Sequence, residues 1–198
     1  MGISGLVVTF NEEKNIGKCI DALLLVCDEV IIVDSLSTDN TKEIAIEKGA
    51  VFIEQPYLGD GPQRSFGLQY CKNDWILNLD ADEFLDQDSL MFIQSKKYLN
   101  EGYDAFSFRV KNFLQDKVID FAGWYPDYKI RFFNKRTACP SNDKVHQKII
   151  ATKPKKLKTH ILHYGSHSFL QIISKKNIYA EHSAKELFGQ RKKISSFK

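Results

Sequence analysis

Apolar residues follow two alternating rhythms along the first half of the chain. Residues 5–10, 29–33, 51–54 and 75–79 form short apolar runs, the pattern of strands covered on both faces. Between them Ile16, Cys19, Ile20, Leu23 and Leu24 recur at helical spacing. Residues 37–48 read as a helix closed by Gly49, and Pro62 can open a helix that runs to Cys71. Strands alternating with helices imply right-handed crossovers, and hence an α/β fold with a mainly parallel central sheet and flanking helices.

Polar residues follow three of these strands directly. Thr9, Asn11 and Glu12 come after the first, Asp34, Ser35 and Ser37 after the second, and Asp80 and Asp82 after the fourth. In a parallel sheet these groups gather at the carboxyl edge, the usual place for a ligand. The fourth strand, within WILNLDADEF, ends in three acids, Asp80, Asp82 and Glu83. Carboxylates this close repel one another unless a cation, a proton or solvent relieves them.

The second half changes character. A helix is expected from residue 89 to 99, YDAFSFRVKNF alternates like a strand, and GWYPDYKIRFFNK mixes aromatics with charge, Phe132 and Phe133 being expected core. Two strand-like pieces flank a Pro/Lys turn near residue 154, and residues 169–188 read as a helix. The expected organisation is one domain over residues 1–165, in halves 1–99 and 100–165, followed by a basic helical part at 166–198.

Composition restricts the function classes. The 198 residues, 43% hydrophobic and 27% charged, suit a soluble globular domain. No apolar run approaches the roughly 20 residues that span a bilayer, and the start has no basic leader. Four scattered cysteines without a C-x-x-C pair lack zinc spacing and suit a cytoplasmic protein with reduced thiols. From Lys144 onward 13 Lys and Arg face 2 acids, a charge of +11, while the preceding residues carry 15 against 23, or −8. Such a basic third can contact phosphates or an anionic membrane surface, at the inner face of the cell membrane. It contains no recognisable nucleic-acid motif, so nucleic acid is not an expected partner.

Phosphate-binding loops are also missing. There is no G-x-x-x-x-G-K-[ST] stretch and no G-x-G-x-x-G after the first strand, which disfavours P-loop nucleotidases and dinucleotide dehydrogenases. Without a glycine cradle, a diphosphate is most simply held through a divalent cation bridging it to Asp80 and Asp82. Hard oxygen ligands favour Mg2+ or Mn2+ over zinc.

The stretches LVVTFNEEKNIGKCIDAL, DEVIIVDSLSTDNT and WILNLDADE, in this order, resemble the three signatures of the inverting family 2 glycosyltransferases, which have the GT-A fold. The resemblance covers about the first 90 residues. It implies that Thr9, Asn11 and Glu12 line the pocket of a nucleotide-sugar donor, commonly a UDP-sugar. It further implies that Asp34 contacts the base, Ser37 lies in the matching loop, Arg64 sits near the donor, Asp80 contacts ribose or sugar, and Asp82 binds Mn2+ or Mg2+. Ser35 stands where many relatives have a second Asp. GWYPDYKIRFF, KVHQKI and HYGSHSFLQIISKKNIYA are similar to the subgroup that transfers β-glucose to lipopolysaccharide core. That likeness implies a glycan or glycolipid acceptor and His146 as a further metal ligand, with His163 second to it. Gln147 departs from the glutamate common in that subgroup, and an amide cannot accept a proton.

The implied reaction is an in-line displacement, in which an acceptor hydroxyl attacks the anomeric carbon as nucleoside diphosphate leaves. Asp127, in the aromatic setting WYPDY, is the first candidate for the general base, and Glu83 the second. Trp124 and Tyr125 could stack on an acceptor sugar. Two other classes compete: a nucleotidyltransferase making sugar nucleotides, whose glycine-rich basic loop is missing, and a degenerate domain that binds nucleotide or glycan without turnover, for which Gln147 is the argument.

Overall fold

The structure is a computed structural model and describes residues 1–121, 124–143, 147–166, 180, 184 and 188. In chain order come β1 (Ile3–Thr9), α1 (Ile16–Leu24), β2 (Glu29–Asp34), α2 (Thr41–Glu47), β3 (Val51–Glu54), α3 (Asp60–Leu68) and β4 (Trp75–Asp80). There follow β5 (Glu83–Leu85), α4 (Gln87–Gln94), a 3-10 turn at Lys97–Asn100, β6 (Ala105–Leu114), β7 (Lys117–Ile119) and β8 (Asp127–Asn134). The short β9 (Cys139–Pro140) and β10 (Ile149–Ile150) pair with each other ahead of the long β11 (Pro154–Ser166).

One sheet runs β3-β2-β1-β4-β8-β6-β11-β5, with β7 beside β6. The alternating first half gives the expected parallel strands β3, β2, β1 and β4. Parallel order then stops: β8 lies antiparallel to both β4 and β6, while β11 returns parallel to β6. The described residues between β6 and β8 hold no helix, and strands joined without a crossover pair antiparallel.

Both faces of the sheet are covered. On one, Ile16, Cys19, Ile20 and Leu23 of α1 and Ile93 of α4 pack in the cluster that holds Val7, Ile32, Leu77 and Leu79. Trp75 stacks on Phe132 at 4.9 Å between ring centres in the same cluster. On the other face α3 covers Leu6, Ile31, Val33 and Ile76. Phe132 and Phe133 are fully buried, as expected. A Cβ on Gly67 would lie 2.6 Å from Leu6 Cδ1 and 2.8 Å from Val33 Cγ2, so glycine is what lets α3 approach and carry Arg64 onto β4.

Several boundaries differ from expectation, among them β1, which runs Ile3–Thr9, and α3, which ends at Leu68 and not at Cys71. α2 begins at Thr41, not residue 37, because residues 35–40 are tied into a loop. α4 stops at Gln94, since Lys96 adopts φ 53° and the chain tightens into the 3-10 turn. Glu83 does not stay in the turn after β4: it opens β5, which pairs antiparallel with β11. The helix expected at 169–188 lies outside the described residues, apart from Ala180, Ala184 and Phe188, which are helical. No helix among the described residues is long and apolar enough to cross a membrane.

Asp86 joins helix to sheet. It accepts from Ser89 N at 2.8 Å, capping α4, and from His160 N at 3.1 Å and Nδ1 at 3.0 Å on β11. Burial would raise its pKa, but the bonds from Ser89 and His160 hold it below the usual carboxylate value. A lowered folded-state pKa contributes stability that is present above about pH 3.9 and lost as pH falls through the folded value. Asp86→Ala should therefore lower the unfolding free energy by about 1–2 kcal/mol at neutral pH, with a smaller difference near pH 3, in urea denaturation followed by circular dichroism.

Candidate active site

Strand register delivers the polar strand ends to one edge, with Thr9 opposite Asp34 and Val8 opposite Asp80. The loops after β1 and β2 are then laced together. Asp34, fully buried, accepts from Ser37 N at 2.6 Å and Ser37 Oγ at 2.5 Å, and Ser37 Oγ accepts from Asn11 N at 2.7 Å. Asn11, at φ 55°, accepts from Thr38 N at 2.8 Å, and Glu12 N donates to Thr41 Oγ1 at 2.8 Å. Thr9 Oγ1 is buried without a partner among the described residues. Asn11, Glu12, Asp34 and Ser37 thus stand together beside Thr9 at the end of β1, although both oxygens of Asp34 are engaged in holding Ser37.

The three acids after β4 have three different environments. Asp80 is gripped from both sides, with Oδ1 2.5 Å from Arg64 Nη2 and Oδ2 2.9 Å from Arg131 Nη2. Burial would raise the Asp80 pKa, but Arg131 and Arg64 outweigh it and hold the carboxyl far below the usual range. Arg131 Nη2 also lies 2.6 Å from Glu83 Oε1, while Glu83 Oε2 accepts from Asp80 N at 3.2 Å. Arg131 is 4% exposed and Glu83 0%. Two arginines and two acids make a charge-balanced cluster, buried except at Asp80. Arg131 reaches it through a bulge: Phe132 pairs with Phe106 and Ile130 with Ser107, so Arg131 is the extra residue and its side chain is re-aimed.

Asp82 faces a histidine instead. Its main-chain oxygen accepts from Tyr164 N at 2.9 Å, and its Oδ2 lies 3.5 Å from His163 Nε2. His163 Nδ1 is 2.7 Å from Asn112 Oδ1, so Nδ1–H donates to that oxygen and Nε2 faces Asp82. Burial would lower the His163 pKa, but its bond to Asp82 and the charges of Asp82, Glu83 and Asp80 raise it. A Cβ on Gly165 would fall 2.4 Å from His163 Nε2 and 3.1 Å from Asp82 Oδ2, so glycine keeps the space over this pair open. Among the described residues no group of three or more His, Cys, Asp or Glu could hold a metal. The Asp82–His163 pair offers one carboxylate and one imidazole, and would need substrate oxygens and water to complete a shell, the usual way such cations sit on phosphates.

Asp127 opens β8 opposite Val110, and the antiparallel pairing of β8 with β4 brings it to the same edge as Asp80. Tyr125, before the cis bond to Pro126, has its hydroxyl 3.1 Å from His160 Nε2, and Trp124 N donates to Phe121 O at 3.1 Å. His146 lies outside the described residues. Gln147 Oε1 is buried without a partner among them. Arg131 and Asn112 escaped the reading of the sequence. The signal for Arg131 was an arginine between Ile130 and Phe132, a charge inside an apolar strand that must find a partner.

Arg131→Met should reduce the unfolding free energy by about 3–5 kcal/mol in urea, because Glu83 loses its cation while fully buried, whereas the partly exposed Asp80 keeps Arg64. Arg136→Met breaks the exposed pair with Asp74, 2.8 Å apart, and should change it by less than about 1 kcal/mol.

Comparison with known proteins bears on the family and the fold. Residues 4–164 match the profile of Glycosyl transferase family 2. An uncharacterized glycosyltransferase of Rickettsia felis is 33% identical over 212 residues, which cover 99% of this chain and 74% of that protein. The lipopolysaccharide core biosynthesis glycosyltransferase LpsC of Rhizobium meliloti is 40% identical over 90 residues, 43% of this chain and 33% of LpsC. The crystal structure of S. aureus TarS 1–349 in complex with UDP-GlcNAc shares the fold, with a TM-score of 0.57 at 15% identity over 84% of this chain and 60% of that one. With the profile spanning both halves of the sheet and the acids of β4 inside it, the chain belongs to glycosyl transferase family 2.

Proposed function

We propose that the protein transfers a hexose, glucose first among the candidates, from a UDP-sugar to a saccharide acceptor of the cell envelope, of the lipopolysaccharide-core kind. The observation that carries this reading is the Asp82–His163 pair, 3.5 Å apart, at the edge where the loops after β1 and β2 converge. The likeness to LpsC over 90 residues supports the acceptor class.

Thr9, Asn11, Glu12 and Ser37 line the donor pocket, and the loop that Asp34 braces meets the base. Arg64 and Arg131 fix the Asp80 carboxylate at the pocket wall, toward ribose or sugar. Asp82 and His163 would hold Mn2+ or Mg2+, and a carboxylate with an imidazole suits Mn2+ better. Such a cation supplies a Lewis acid for the charge on the departing diphosphate. Asp127 takes the proton of the acceptor hydroxyl as that oxygen attacks the anomeric carbon opposite the leaving group. Glu83 suits this role less, being sealed from solvent and paired with Arg131. Trp124 and Tyr125 offer the acceptor platform, Tyr125 steadied by His160. Lys156 and Lys158 add basic surface for a glycolipid at the cytoplasmic face of the membrane.

The reading is tested with UDP-glucose, Mn2+ and a truncated lipopolysaccharide core. Acceptor-dependent release of UDP is expected, lost in Asp82→Ala; release of pyrophosphate instead would mark a nucleotidyltransferase. Asp127→Asn should lower kcat by about 10²- to 10⁴-fold with UDP affinity unchanged. If UDP affinity falls along with the rate, Asp127 belongs to the donor pocket and is not the base.

A further inference from the structure

The lysines of β11 do not form one patch. Lys155 pairs with Phe106 and Lys156 with Ser107, so these neighbours point to opposite faces of the sheet. Lys155 is neutralised, with its Nζ 2.8 Å from Glu101 Oε2 and 5.1 Å from the Tyr103 ring centre. Lys156 meets a different partner: its Nζ lies 4.8 Å from the centre of the Tyr128 ring. Arg109 Cζ lies 5.8 Å from the same ring centre, and Arg109 Nε donates to the Tyr128 hydroxyl at 2.9 Å. Tyr125 has its hydroxyl 3.1 Å from Nε2 of His160, the residue that pairs with Arg109 across β11 and β6.

Two cations therefore converge on one neutral phenol. Among the described residues no carboxylate lies within 4 Å of either. The ring attracts each cation but neutralises neither, so their mutual repulsion stands until an anion enters. An arginine fork, an ammonium and a phenol O–H are the donors that a phosphate takes. Tyr128 follows Asp127 in β8 with its side chain on the opposite face of the sheet, so this group shares the strand end of Asp127 but not its face.

We propose that Arg109, Lys156 and Tyr128, with Tyr125, form an anion subsite that receives a phosphate ester borne by the acceptor. The link to the acceptor rests on the transferase reading, with Tyr125 as acceptor platform; the anion chemistry rests on two cations with no carboxylate within 4 Å among the described residues. The ester could be a sugar phosphate of a core glycan or the headgroup of a lipid anchor.

The test titrates inorganic phosphate, glucose 6-phosphate and glucose into the whole chain without divalent metal, observing tyrosine ring resonances. Both phosphates should bind saturably and glucose should not. Affinity should fall roughly tenfold in Arg109→Gln and in Lys156→Gln and stay unchanged in Lys155→Gln. Equal weakening in Lys155→Gln, or none in the other two, overturns the subsite and leaves only diffuse basic charge. Vesicles of phosphatidylglycerol against phosphatidylcholine separate the sources. Sedimentation that needs Arg109 and Lys156, without glucose 6-phosphate binding, assigns the phosphate to a headgroup; failure of every probe overturns the proposal. UDP with Mn2+ is titrated into the same proteins. Intact UDP binding beside absent phosphate binding confines the failure to the subsite, whereas phosphate binding that needs Arg109 and Lys156 without any UDP binding retains the subsite and rejects the donor reading.

Discussion

Three carboxylates at the end of one strand cannot all stay charged unless something separates their fates, and Arg131 does so by taking two of them. Its guanidinium spans the partly exposed Asp80 and the buried Glu83, while Arg64 reaches Asp80 from the helix on the sheet's α3 face. Burying Glu83, Arg131 and Arg64 costs several kcal/mol per ion before pairing, so the cluster holds only because each charge meets its partner at hydrogen-bond distance. The result is selectivity among like groups. Asp80 and Glu83 are compensated by the arginines, and Asp82 is left facing the His163 ring in the space that Gly165 keeps clear.

That division of labour depends on distant parts of the chain. Arg131 needs the bulge between β8 and β6, Arg64 needs the close seat that Gly67 gives α3, and His163 needs Asn112 of β6 to orient its ring. The loops after β1 and β2 reach order differently, through short bonds among Asp34, Ser37, Asn11, Thr38 and Thr41 that replace water as partners for the backbone. The bonded loops and the Asp82–His163 pair thus arise from separate devices that meet at a single sheet edge.

The first half of the fold was legible because unbroken apolar runs and helical spacing are local signals, and bounds such as 51–54 follow from them directly. α2 was read too long, since the hydrogen bonds that hold residues 35–40 as a loop come partly from the β1 loop. The fates of the three acids depend on contacts far apart in sequence. Glu83 offered itself as a base as long as Arg131, 48 positions away, had no place in space. His146 ranked above His163 because it stood in a recognisable motif, whereas the pairing that sets His163 opposite Glu83 joins β11 to β5 across most of the second half. Asn112 carries no motif at all; its role is visible only through the ring it orients.

The central claim is that Asp82 and His163, and not the paired acids beside them, form the protein's half of a cation site for a nucleoside diphosphate. Calorimetric titration of UDP with and without Mn2+, on the wild type and on His163→Ala, tests it most directly. The account predicts that Mn2+ strengthens UDP binding in the wild type and that this dependence disappears in the variant while its circular dichroism stays native. Undiminished Mn2+ dependence in His163→Ala would contradict it.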